Sequence, residues 1–128
     1  MKIDQPDAPR RFTAGRNAAT VADCGRIRLD AGEQVTFVTD AGSEYDVARQ
    51  TWGFYAMPSL NVRLPGHGLR PVLVRNAEGR YYLLLVERGK DEEFERFLQA
   101  EAETVICWLD DTTVLETLSR AATENRHA

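Results

Sequence analysis

Residues 69–87 read Leu-Arg-Pro-Val-Leu-Val-Arg-Asn-Ala-Glu-Gly-Arg-Tyr-Tyr-Leu-Leu-Leu-Val-Glu, and this stretch decides the fold. Val72, Leu73 and Val74 centre one strand over 69–75, residues 76–79 (Asn-Ala-Glu-Gly) make a tight connection, and 80–87 return as a second, strongly apolar strand. Tyr81, Leu83 and Leu85 on one face and Tyr82, Leu84 and Val86 on the other leave that strand no polar side, which predicts a central position covered from both directions. Beyond Gly89 the period changes. Phe94, Phe97 and Leu98 fall at i, i+3 and i+4 within 91–103, a helical stripe whose first turn is acidic, as the helix dipole favours. Residues 104–109 read as a further strand, and Asp110-Asp111-Thr112-Thr113 opens a last helix. There Thr113 and Glu116 have capping-box spacing, and Val114, Leu115, Leu118, Ala121 and Ala122 form the apolar face.

Upstream of this hairpin the signals are weaker. Residues 1–17 carry Pro6, Pro9 and three arginines with little periodicity, and read as a mobile or extended arm. Arg26-Ile27-Arg28-Leu29 alternates, residues 30–33 (Asp-Ala-Gly-Glu) suit a turn, and 34–39 are rich in β-branched and aromatic residues, so the two runs are expected to pair as a hairpin. A second turn at 40–43 and a strand from Glu44 to about Arg49 extend it to an antiparallel meander. Residues 50–61 gather aromatics around Gly53 and Pro58 and suit a packed loop or irregular strand, with Ser59 capping one helical turn that ends near Pro65. Strands, hairpin, helix, strand, helix is the order of an α+β domain with a mainly antiparallel sheet, here a single domain over 18–128 behind the arm at 1–17.

The average composition excludes more than it identifies. A chain of 128 residues is too short for an eight-fold strand–helix barrel or a two-domain dinucleotide enzyme. Two cysteines, Cys24 and Cys107, do not make a disulfide scaffold, and the opening residues lack the apolar stretch of an export signal, so a cytoplasmic location is expected, with both cysteines as thiols. The longest large-apolar run, residues 81–86, is too short to span a bilayer, so no membrane partner is expected. A net charge of −4 disfavours bulk nucleic-acid binding. That average hides a division: residues 62–80 hold Arg63, Arg70, Arg75, Arg80 and His67 against one acid, whereas 87–111 hold nine acids against three bases.

Candidate chemistry concentrates in the middle of the chain. Tyr45, Trp52, Phe54 and Tyr55 lie near Asp46, Arg49, Ser59, Asn61 and Arg63, a mixture suited to stacking on a ring while bonding its hydroxyls or phosphate. Arg49, Tyr55, Asn61 and Arg63 are therefore the expected ligand-binding residues; in the plainer reading Trp52 and Phe54 simply fill the core. His67, between glycines, reads as exposed and mobile and has no carboxylate close in sequence to orient it. Cys107 in an apolar strand reads as inert, and no cysteine or histidine pair has metal-ligand spacing, so no catalytic residue, metal or cofactor is expected. Phosphate-loop, dinucleotide and nucleophile-elbow motifs are absent.

The run from Tyr45-Asp46-Val47-Ala48-Arg49 through Trp52-Gly53-Phe54-Tyr55-Ala56-Met57-Pro58-Ser59-Leu60-Asn61, with Tyr81-Tyr82-Leu83-Leu84-Leu85-Val86-Glu87, resembles small bacterial proteins encoded among surface-polysaccharide and sugar-nucleotide genes. The resemblance covers roughly residues 24–111 and implies a carbohydrate setting, without assigning a role to any residue. The expectation is a binding or accessory module for an anionic sugar- or nucleotide-like ligand. Its rivals are a small isomerase or hydrolase working through Asp46, Glu44 and Arg49, and a protein-interaction module, as a homodimer or partner subunit, using Phe37, Trp52 or the last helix.

Overall fold

The computed structural model describes residues 1–56 and 58–127; Met57, within the aromatic run, lies outside them. Ten strands and three helices follow in the order β1 (Lys2–Asp4), β2 (Arg10–Ala14), β3 (Ala19–Asp23), β4 (Arg26–Arg28), β5 (Gln34–Val38), β6 (Glu44–Gln50), β7 (Gly53–Tyr55), α1 (Arg63–Gly66), β8 (Leu69–Arg75), β9 (Tyr81–Glu87), α2 (Asp91–Glu101), β10 (Thr104–Trp108) and α3 (Thr112–His127). Every pairing is antiparallel, in four small sheets: β1–β4, β2–β3, β5–β6–β7 and β10–β8–β9. The fold is α+β, mostly sheet.

The core belongs to the carboxy-terminal half. Strand alternation puts Val72 and Val74 of β8 on one face with Leu84 and Val86 of β9 and with Val105 and Trp108 of β10. Phe94 and Leu98, one turn apart on α2, close over that face, and the Phe94 ring meets Trp108 edge-on at 5.9 Å. Three acids, Asp91, Glu92 and Glu93, occupy the first turn of α2, and Ala102 ends it in the left-handed conformation at φ 52°. The expected hairpin, helix and return strand are all present. The last helix is present too, but its cap is Asp111, whose Oδ1 accepts from the backbone N–H of Thr113 at 2.9 Å and of Val114 at 3.4 Å.

Three expectations need correction. β9 is not central: β8 lies between β10 and β9, and β9 is an edge strand with Tyr81 59% and Leu83 42% exposed. Within this chain α2 covers the face that carries Leu84 and Val86, while Tyr81 and Leu83 on the other face stay exposed. Arg26 to Leu29 does not pair with 34–39; β4 pairs instead with β1, setting Lys2 opposite Arg28, Ile3 opposite Ile27 and Asp4 opposite Arg26. Residues 1–17, expected as a mobile or extended arm, run extended and supply β1 and β2. Trp52 and Phe54 do not fill the core either, being 72% and 57% exposed. The β5–β6 hairpin and the helical turn after Ser59 do form; Ser59 Oγ accepts from the backbone N–H of Arg63 at 2.9 Å.

Two carboxylates help to tie the halves together. The Glu87 carboxylate accepts from the Thr39 hydroxyl at 2.6 Å and the Ser43 hydroxyl at 3.0 Å, fastening the β5–β6 turn to the end of β9. Those two hydroxyls hold the Glu87 carboxyl below the usual carboxylate range. Gly68 makes room for this join, since at φ +88° a Cβ there would stand 2.8 Å from Ser43 Oγ. The second tie is Glu101 at the end of α2, which accepts from the backbone N–H of Arg16 at 2.5 Å and of Asn17 at 3.2 Å in the β2–β3 turn. A Cβ on Gly15 would meet that carboxylate at 2.7 Å.

Candidate functional site

The β1–β4 ribbon and the end of the β5–β6–β7 sheet line a cleft of about 540 Å³, within the range of small-ligand pockets. Lys2, Arg26, Arg28 and Arg49 face it with one acid, Asp4, and Phe54 adds an aromatic surface. The local cause is pairing. A register that sets Asp4 against Arg26 must also set Lys2 against Arg28, and like charges directly opposite across strands are unfavourable. An anion between them would remove that penalty. Arg49 enters from β6 opposite Phe54, its guanidinium carbon 5.9 Å from the ring centroid, and donates to the Gly53 carbonyl at 3.3 Å. One further N–H bond thus orients a cation whose remaining donors are available to a ligand.

The four expected ligand residues do not converge. Ala48 pairs with Tyr55 and Arg49 with Phe54, so Arg49 and Tyr55 project to opposite faces of the sheet. Tyr55 and Arg63 meet beside Asp46 and Pro58 around a void of about 40 Å³, close to the volume of a single water in the liquid. Arg63 approaches the Asp46 carboxylate at 4.0 Å, and that carboxylate also accepts from the Thr36 hydroxyl at 2.7 Å. Asn61 is elsewhere, donating to the Thr112 hydroxyl at 3.2 Å. Of the four, only Arg49 reaches the basic cleft. Lys2, Arg26 and Arg28 were missed because their strands were assigned to an arm and to a different hairpin. The signal that marks them is the charged–apolar–charged triplet, Lys-Ile-Asp and Arg-Ile-Arg, repeated in two segments able to pair.

The carboxylates proposed for catalysis have no substrate-sized space: Glu44 is exposed, and Asp46 borders only the 40 Å³ void. The arginines of 62–80 are largely occupied within the chain or scattered on the surface. Arg70 makes a two-point contact with Asp110, at 2.7 and 3.2 Å, and lies 4.2 Å from the centre of the Trp108 ring. His67 is half-buried rather than exposed: its backbone N–H closes α1, its carbonyl accepts from Glu44, and its Nδ1 is enclosed with no partner among the described residues. Cys24 is exposed and Cys107 half-buried, both as free thiols.

A second cavity, about 800 Å³, lies where the β2–β3 ribbon meets β9 and α2. Its charges are mixed, with Arg16 and Arg80 against Glu78, Glu101 and Glu103. Desolvation, with Glu101 nearby, raises the Glu103 carboxyl above the ordinary range, and Glu103 Oε2 is buried without a partner among the described residues. Among the described residues no cluster of three histidine, cysteine or acidic side chains is placed to hold a metal, and no helix is long and apolar enough to cross a membrane. No protein-family model, curated protein or solved structure matches this chain.

Proposed function

We propose that this protein is a binding module that takes an anionic sugar- or nucleotide-like ligand, such as a sugar phosphate, in the cleft between the β1–β4 ribbon and β6–β7. The observation that carries the reading is the placement of Lys2 opposite Arg28, with Arg26 and Arg49 facing the same cleft and only Asp4 to balance them. Four cations held this closely repel one another, and a phosphate group relieves that repulsion while accepting several charge-assisted hydrogen bonds. Phe54 offers its face to a sugar or base ring. On this reading the module binds and presents its ligand, with Asp4, the acid that lines the cleft, set opposite Arg26. The resemblance of the aromatic run to proteins of polysaccharide gene clusters supports a carbohydrate ligand.

Isothermal titration against inorganic phosphate, sugar phosphates and nucleoside-diphosphate sugars tests this reading. Binding that weakens with salt, and that falls at least about tenfold in Arg28→Ala and in Arg49→Ala, is the expected result. Arg63→Ala, outside the cleft, leaves the affinity unchanged. If the folded protein binds no member of the panel, or binds one with the same affinity in Arg28→Ala and Arg49→Ala, the cleft is not the site.

A further inference from the structure

We propose that the free edge of β9 is a self-pairing interface, taking β9 of a second copy of this chain antiparallel about a two-fold axis. The backbone decides which groups are available. Asn76 N–H donates to the Arg80 carbonyl and Arg88 N–H to the Gly68 carbonyl, so the even-numbered residues of β9 make the bonds to β8. Tyr81, Leu83 and Leu85 consequently aim their N–H and C=O groups away from β8, and no described residue bonds to them. A row of unpaired backbone groups on an apolar edge strand is a template for another strand.

Its side chains make it self-complementary. With the axis at Leu83, Leu83 faces the partner's Leu83 and Tyr81 faces the partner's Leu85, so apolar side chains meet apolar ones on both sides of the centre. Tyr81 and Leu83, exposed at this edge in the single chain, gain apolar neighbours once a second β9 continues the sheet.

Light scattering and sedimentation of the full chain from low to high micromolar concentration are expected to give twice the 14.4 kDa chain mass. Leu83→Pro removes the central outward N–H while leaving every β8 bond intact, a substitution that a solvent-facing edge position tolerates. It is expected to keep the circular dichroism of the parent and to run as a monomer, whereas Leu83→Val stays dimeric. If Leu83→Pro does not fold, exchange in the unaltered chain supplies the test: the Tyr81, Leu83 and Leu85 amides are protected at high concentration and lose that protection on dilution. A chain that stays monomeric throughout, or a dimer in which those three amides exchange freely, would overturn the proposal.

Discussion

The two halves of this molecule use the same kinds of residue to opposite ends. From β8 to β10, valines, leucines and Trp108 on one sheet face pack under Phe94 and Leu98 of α2, with Val72 and Val74 fully enclosed. From Met1 to Gly42 the chain forms regular strands, yet none of its residues is buried. Its apolar pairs, Ile3 with Ile27 and Phe12 with Val21, sit on two-stranded ribbons and stay 39–63% exposed. Two-stranded ribbons are marginal in water by themselves, so these depend on their ties, Glu101 to the β2–β3 turn and Glu33 to the Met1 amino group ahead of β1, and on whatever occupies their faces. The difference teaches that one half is built around a core and the other as a surface, and the basic cleft lies on the second.

Substitutions that probe this contrast differ in size. Phe94→Ala, which opens a cavity against Trp108 and Val72, is expected to cost about 3–5 kcal/mol in urea unfolding, while Phe12→Ala in the β2–β3 ribbon costs less than about 1 kcal/mol. Equal losses at the two positions would erase the distinction. Next comes Asp110→Ala. It strands the Arg70 guanidinium, and because Arg70 is 40% exposed the loss should be about 1–2 kcal/mol rather than that of a fully buried pair.

Acidification separates the halves without mutation. Glu87 has a lowered carboxyl pKa in the folded chain, so its contribution is present above the ordinary carboxylate value and lost as pH falls through the lowered one. Protection of the Ser43 and Glu44 amides, measured against the intrinsic exchange rate at each pH, is therefore expected to fall in acid before that of the β8 amides, and Glu87→Gln abolishes that step. The smallest effect runs the other way. Glu103 has a raised pKa, so its ionised form opposes folding above that value and the penalty is relieved as pH falls below it. Glu103→Gln is expected to raise the melting temperature by a few degrees at most at neutral pH and to leave it unchanged in acid, which calorimetry would read.

Legibility in the sequence divided along the same line. β8, β9, α2 and β10 were readable because their periods of 2 and 3.6 are enforced by burial, and burial leaves a pattern. β1 to β4 follow no such constraint. Their register rests on which short triplets find each other across the chain, and a local turn at 30–33 outweighed a long-range pairing with Lys2–Asp4 that no local signal announces. β9 misled for a related reason: apolar residues on both faces suggested a central strand, whereas α2 covers one face and the strand stands at the sheet edge. At the site, chemistry-rich neighbours in sequence were taken for neighbours in space. Strand alternation separates Arg49 from Tyr55, and Asn61 turns to Thr112, while the cleft's remaining cations come from residues more than 20 positions away.

Site-resolved amide exchange on the unaltered chain, under conditions where β8 is limited by global unfolding, tests the division between core and surface most directly. Thr13 and Thr20, the bonded pair of the β2–β3 ribbon, are expected to exchange at least about tenfold faster than Val72 and Val74 of β8. Exchange at Thr13 and Thr20 as slow as at Val72 and Val74 would mean that the amino-terminal strands belong to the same cooperative core, and would contradict the account.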